Sequence, residues 1–262
     1  MANNNKPYYL EVSEGTAGHD ARPLHKFGRN AAVSTSFVPI NLGGHWRTPL
    51  SSSATTLRIA AGGNANDTTD GTGAREVTIV GYDANGDLVT ESIATAGASA
   101  SASTTTEFFR LCDAHVSKTG TYATASAQSH AASITLQNTA GTETWGIIDA
   151  SDYAVGRTET ATCYVPNGQE GFIHELSYSC DTANKVVEVM LLFREDALST
   201  SAPYKPLRFG FRVSNIASYE STLFPVPLKF PENSDVAVFA KVDSGADIEV
   251  HASFVLTLKN KK

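Results

Sequence analysis

Apolar and polar positions along this chain repeat with the period of strands. From Ala74 to Ala94, two runs rich in β-branched and aromatic residues flank Asn85-Gly86. That pair is a strong hairpin signal, because a type I′ turn needs positive φ at both central positions. The run Ile248, Val250, Ala252, Phe254, Leu256, Leu258 alternates with Glu249, His251 and Ser253, which predicts a strand with one buried face. Thr56–Ala61 alternates likewise, with Leu57 and Ile59 on one face. Further strands are predicted at 107–116, 133–137, 144–148, 160–165, 171–179, 186–193, 209–213, 222–228 and 236–242. One helical turn fits Glu195–Ser199, and no amphipathic helix of three turns is present.

This spacing predicts an all-β chain in three parts. Residues 1–55 carry Pro7, Pro23, Pro39 and Pro49 and only brief apolar clusters, so they read as an extended N-terminal arm with short edge strands. Such an arm must lie on its own subunit or on a neighbour. Residues 56–157 read as a small β domain around the Asn-Gly hairpin. Inside it, the Ala/Ser/Thr run 95–106 fits a linker, a surface loop or a strand packed on a symmetry mate. Residues 158–262 have the regular short strands of a jelly-roll-like β-sandwich. Thr162–Val165 and Gly171–Ile173 flank Pro166-Asn167-Gly168 as two strands joined by a turn at one end of it.

Composition narrows the function. The 262 residues carry a net charge of −7 and a charged fraction of 18%, leaving Ser, Thr, Asn and Gly to supply much of the solvated surface. No basic stripe exists to displace counterions from nucleic acid, and the basic end Lys259–Lys262 reads as a solvated tail. Cys112, Cys163 and Cys180 are odd in number, widely spaced and without a CxxC, which indicates neither a zinc site nor a disulfide framework. The chain therefore reads as reduced and intracellularly made. Residues 1–5 lack signal-peptide features, and no apolar stretch is long enough to span a membrane.

Catalytic motifs are missing: there is no GxSxG, HExxH, P-loop or GxGxxG. Asp83–Asp87 begins like a calcium loop, but Leu88 stands where the loop needs glycine and Ala94 where it needs glutamate. A hairpin turn accounts for it. Asn66-Asp67 with Asp70 could bind a hard cation weakly, although Asn/Asp-rich loops usually only cap their own backbone. Seven histidines are scattered without metal-ligand spacing. Cys112 with His115, and Glu170 with Glu175, are pairs that chance alone supplies. Trp46, Trp145 and the tyrosines could stack sugars, although packing is their ordinary use. No catalytic residue, metal site or cofactor is assigned.

Several motifs do form a recognisable set. His25-Lys26-Phe27-Gly28-Arg29-Asn30, then Trp46 after Gly43-Gly44, Asn66-Asp67-Thr68 with Gly71-Thr72-Gly73-Ala74-Arg75, the hairpin 76–93, and Phe224–Glu232 together resemble a group of tailed-bacteriophage virion proteins. The resemblance covers most of residues 25–258, and its motifs are structural. It implies a non-enzymatic virion component located in the particle. The first expectation is a capsid decoration (cement) protein bridging capsomers. The alternative is a head-fibre or tail-associated protein that binds a receptor or glycan. The implied partners are the major capsid protein or other virion proteins, with neither nucleic acid nor membrane, and a homotrimer is expected around the C-terminal sandwich. Docking is expected through His25, Lys26, Phe27, Gly28, Arg29 and Asn30, with Phe27 as apolar anchor and Lys26 and Arg29 on carboxylates. It is expected also through Phe224, Pro225, Pro227 and Phe230, whose segment should form an edge or corner because proline removes ladder donors.

Overall fold

The computed structural model describes residues 21–44, 54–125, 128–151, 154–181, 186–216, 218–245 and 247–261. Its strands, in chain order, are β1 (Arg22–Val33), β2 (Val38–Pro39), β3 (Leu57–Ile59), β4 (Ala74–Tyr82), β5 (Leu88–Ala94), β6 (Arg110–Thr119), β7 (Ile134–Asn138) and β8 (Thr144–Ile148). They continue with β9 (Thr162–Val165), β10 (Gln169–Cys180), β11 (Val187–Arg194), β12 (Arg208–Ile216), β13 (Tyr219–Phe230), β14 (Ser234–Val242) and β15 (Ile248–Asn260). One helical turn, Tyr122–Ala125, is the helix among the described residues. All strand pairings are antiparallel. The chain is all-β.

A front sheet runs β1-β15-β10-β13 and a back sheet runs β12-β11-β14-β2, with β9 also pairing with β14. Leaving aside the short β9, successive strands of the two sheets cross between them except at the β11–β12 link. That is the order of an eight-stranded jelly roll. Its core lies between the sheets and includes Ile173, Leu176, Val189, Leu191, Val236 and Val238. The alternation predicted for β15 holds in full: all six residues of its apolar face are buried, each contributing about 1.5–3 kcal/mol where the side chain is large.

The expected boundaries are corrected here. Residues 22–39 do not form a separate arm without a core. β1 pairs along its length with β15, Val33 and Ile40 are fully buried, and β2 pairs with β14. The jelly roll is therefore discontinuous in sequence. The middle domain is inserted between β2 and β10, with β9 closing the return. Prolines did not prevent strand formation: Pro23 lies near the start of an edge strand and Pro39 in a two-residue strand, where lost donors cost least. Residues 1–20 of the expected arm, and Pro49, lie outside the described residues.

The inserted domain stacks two three-stranded sheets, β3-β7-β8 and β5-β4-β6, around Val77, Ile79, Leu111, Leu136 and Trp145. The 95–106 run is neither linker nor strand. It lies along the edge of β3, where Ser101 Oγ accepts from Ile59 N (2.9 Å) and Thr104 Oγ1 from Leu57 N (2.9 Å). Hydroxyls there cover an edge that would otherwise be left open.

The β4–β5 hairpin forms as predicted, but its turn differs. Gly86 N donates to Asp83 O (3.0 Å), centring the turn on Ala84-Asn85. Gly86 has positive φ, and Asn85 is absent from the positive-φ residues. Asp83 Oδ1 accepts from Asn85 N and Asp87 N, so the carboxylate stabilises an ordinary turn and releases only glycine into the left-handed region. Glu195–Ser199 is a turn with Asp196 at φ 55° rather than a helical turn. Pro166-Asn167-Gly168 does make a turn, though it links β9 of the back sheet to β10 of the front sheet.

Candidate docking surfaces

Strand alternation divides the His25–Asn30 motif between two roles. Lys26 and Gly28 point inward, while His25, Phe27 and Arg29 point to the outer face of the front sheet. Lys26 is buried, and its Nζ donates to Cys112 O at 2.6 Å. Gly28 lies where three segments cross: a Cβ there would come within 2.2 Å of Ile40 O and 2.3 Å of Ala161 N. Asn30 Nδ2 donates to Pro39 O (2.8 Å). These three positions, with Arg29, are consumed within the subunit. The expectation that Lys26 and Arg29 seek a partner's carboxylates is corrected accordingly. His25 and Phe27 remain at the surface, with Phe27 52% exposed.

Arg29 is the hub of the connection between the two domains. Its Nε donates to Glu159 Oε2 (2.7 Å) and its Nη1 to Glu249 Oε2 (3.1 Å), and Nη2 contacts Asp149 Oδ2. Burial opposes the guanidinium charge, but the carboxylates, Glu159 foremost, outweigh it and raise its pKa. Burial also opposes Asp149 ionisation. Hydrogen bonds from Ser151 and Ser133, and then Arg29, prevail and hold its pKa at about 2. A second latch joins Arg110 of β6 to Asp235 of β14 through Nε–Oδ1 (2.8 Å) and Nη2–Oδ2 (2.7 Å), with Nη2 also donating to Ala197 O (2.7 Å). Tyr82, Cys112, Tyr164 and Ala197 pack around it. Fixed by both latches, the inserted domain and the jelly roll present joint surfaces.

The Phe224–Glu232 motif lies on the exposed edge of the front sheet, as the prolines predicted. Pairing with β10 runs to Ile173↔Leu228 and resumes at Glu175↔Leu223. Phe224–Pro227 thus bulges opposite the single residue His174. Phe224 is half-buried, its ring against Phe211 at 5.3 Å. Pro225 is exposed, Pro227 half-buried, and Val226 at the bulge is 81% exposed. Phe230 is a correction. It is buried, edge-on to Phe193 at 5.4 Å, and belongs to the core. Leu223 and Tyr219 on β13, and Phe209 on β12, were not singled out from the sequence, yet each is more than 60% exposed. On β13 the signal was apolar residues in both phases of the strand, whereas in β12 Phe209 shares the phase of Phe211 and Val213 and is set apart by a register shift that the sequence does not mark.

A groove of about 900 Å³ runs over the outer face of the front sheet. Its floor includes Phe27, opposite Ser253, itself opposite Ser177, with His25 opposite Val255. Its other wall comes from the inserted domain: Asp113, Val155, Arg157 and Glu159. Arg157 Nε donates to Asp113 Oδ1 (2.9 Å). Phe27 stacks on His251 with ring centroids 5.7 Å apart, so the ring is braced rather than loose.

The other chemical candidates are brought to no common site. Cys112 is buried while His115 faces Asp113 at 3.5 Å. Glu170 pairs with Lys229 (2.8 Å) and Glu175 with Ser221. Among the described residues no group of three or more His, Cys, Asp or Glu could hold a metal, and no helix is long and apolar enough to cross a membrane. Asp67 accepts from Ala74 N, Ala131 N and Ala132 N, as a loop-capping role requires. Trp145 is buried in the inserted core, while Trp46 lies outside the described residues. No disulfide joins the cysteines at 112, 163 and 180 to one another.

No family model and no curated protein matches this chain. Among solved structures it is similar to that of infectious bursal disease virus strain Gx. The two are 8% identical with a TM-score of 0.26, over 97% of this chain and 78% of the other. It is similar also to T=1 particles derived from infectious bursal virus, 9% identical with a TM-score of 0.23, over 97% and 79% of the respective chains. Likeness at that level carries no argument about function; the jelly roll rests on the strand order itself.

Proposed function

We propose that this chain is a structural, non-enzymatic component of a bacteriophage virion. In this reading it is a capsid decoration protein that docks on the major capsid protein, bridges capsomers and assembles as a homotrimer. The observation that carries the reading is the contrast between interior and edge. Charged groups in the interior are spent on latching two β domains into one body, while Phe209, Tyr219, Leu223 and Val226 stay exposed along one sandwich edge. Exposed apolar patches rimmed by polar residues mark association surfaces. A rigid body resists outward pressure on a shell by adding buried area between neighbours, and a standard interface of about 1,600 Å² suffices for stable docking. Several such contacts per trimer act multivalently.

The test is to quantify the chain in purified particles, then to compare the heat stability of particles with and without it. Saturable occupancy and earlier DNA release from depleted particles are expected. Its absence from particles, or its presence with unchanged stability, overturns the cement role. A fibre or tail-associated glycan-binding role is the second reading, favoured by the braced Phe27 ring in an open groove. Retention of surface polysaccharide by the purified chain, with no effect on capsid integrity, supports that reading over the first.

A further inference from the structure

We propose that the groove over the front sheet is a binding site for a neutral oligosaccharide, with Phe27 as the stacking platform and the His174-Glu175 pair hydrogen-bonding ring hydroxyls. The inference rests on the second reading above and gives it a site and a ligand class. It begins with an irregularity in β10. From Ile173 to Leu176 that strand takes three steps against two on β15, where the same span runs from Leu256 to Phe254. Ile173 and Leu176 both stay buried, so the extra residue leaves His174 and Glu175 exposed together on the outer face. A regular strand would have turned one of them inward. Bulges of this kind re-aim side chains beside functional sites. Here the bulge aims two polar groups into the groove, level with Val255 and, beyond it, His25.

The lining matches the two-sided chemistry of a sugar ring, whose C–H face is apolar and whose rim carries hydroxyls. Phe27 offers a ring fixed by its stack on His251, and Val155 and Val255 extend the apolar surface. Around them stand carboxylates already held in place. Asp113 accepts from Arg157 Nε (2.9 Å) and Thr158 Oγ1 (3.2 Å), Glu159 from Arg29 Nε (2.7 Å), and Glu175 from Ser221 Oγ. A carboxylate has about four lone-pair sites, so accepting capacity remains for ligand hydroxyls. Being braced, these groups lose little further side-chain entropy on binding. The groove's volume of about 900 Å³ lies at the upper end of the ~300–1,000 Å³ range of small-ligand sites, which leaves room for several rings.

Charge sets the class of sugar. Asp113, Glu159 and Glu175 line the groove, and Asp149 and Glu249 flank it through Arg29. Against these five carboxylates stand only Lys26, Arg29 and Arg157, and the first two are buried. The site is net negative, so it repels sugars bearing carboxylate or phosphate, whereas a neutral sugar meets no such repulsion. An extended peptide is the poorer occupant. The floor strands β15 and β10 have ladder partners on both sides, and β1 is bridged to Thr160 at Phe27. Among the described residues the floor offers no open edge for an added strand, and recognition falls to side chains.

The test is calorimetric titration of the purified full chain with maltotetraose, cellotetraose, mannotetraose and the N-acetylglucosamine tetramer. Tetragalacturonate serves as the anionic counterpart, and circular dichroism confirms folding. At least one neutral tetramer should bind with a Kd of about 10 μM to 1 mM, and tetragalacturonate about tenfold more weakly or worse. Phe27→Ala and Glu175→Gln should each weaken binding by about tenfold or more, whereas Phe27→Tyr keeps the ring and should bind at least as well as the wild type. A Kd above about 10 mM for every neutral tetramer overturns the proposal. So does tighter binding of the anion, or wild-type affinity in Phe27→Ala. Self-association that Phe27→Ala abolishes in sedimentation also overturns it, because the groove is then a contact between copies. Retention of surface polysaccharide that Phe27→Ala leaves intact sinks this site and leaves the glycan reading standing, while no retention by the wild type sinks both.

Discussion

Removing the Asp235 carboxylate should be among the most damaging single changes to this protein. Arg110 and Asp235 form a bidentate pair with side chains 4% and 5% exposed, joining the inserted domain to the jelly roll across Tyr82, Cys112 and Tyr164. In Asp235→Ala, Arg110 keeps its bonds to Ala197 O and Phe109 O (2.7 and 3.1 Å) and its position over the Phe109 ring at 4.4 Å. It loses the compensating charge. Stranding a buried guanidinium costs about 3–5 kcal/mol. Urea unfolding with a slope near 3 kcal/mol/M should therefore show a midpoint lowered by roughly 1–1.7 M, with the two domains separating into distinct transitions as the latch opens. Arg110→Met combined with Asp235→Leu removes both charges and should recover most of the loss, because the attraction mainly offsets desolvation. A shift below about 1 kcal/mol in Asp235→Ala refutes the reasoning, and so does a double variant as unstable as the two single losses added together.

Other expectations follow from separate parts of the fold. Gly28→Ala forces a Cβ against Ile40 O and Ala161 N, so little soluble protein should be recovered at 37 °C, whereas Gly168→Ala, with open space around it but positive φ, should cost only about 1 kcal/mol. Asp149 sits at about 2, against an ordinary 3.8. Its contribution is complete above the unfolded value and fades as pH falls from about 4 towards 2; at most about 2 kcal/mol is lost, and Asp149→Asn should flatten that part of a stability–pH curve. Burial lowers the pKa of His130, so stability should already begin to fall as pH drops below the ordinary histidine value, and His130→Gln should abolish that earlier slope. Cys112 and Cys163 are buried, Cys163 with its thiol pushed up by desolvation, so a thiol reagent should label only Cys180 in the folded chain and all three cysteines in urea. Deleting residues 1–33 removes β1, which pairs along β15, and should leave insoluble protein.

What the chain's own order of residues determined was local. Period-two alternation marked β4, β5 and β15, because side chains on a strand must point alternately in and out whatever the strand pairs with. Missing donors at Pro225 and Pro227 announced an edge, since no central strand can spare them. What only the tertiary structure decided was which segments meet. Residues 22–39 look like an unsupported arm because their partners, β15 and β14, lie some two hundred residues away, and propensity carries no information about distant pairing. Lys26 and Arg29 read as docking charges until burial placed Cys112 O, Asp149, Glu159 and Glu249 around them, for a charge's role depends on what surrounds it. Phe230 falls at the end of an exposed motif yet turns inward: it shares the strand phase of Phe224 and Leu228, and only the packing of the other sheet, with Phe193 against its ring, makes that phase the buried one.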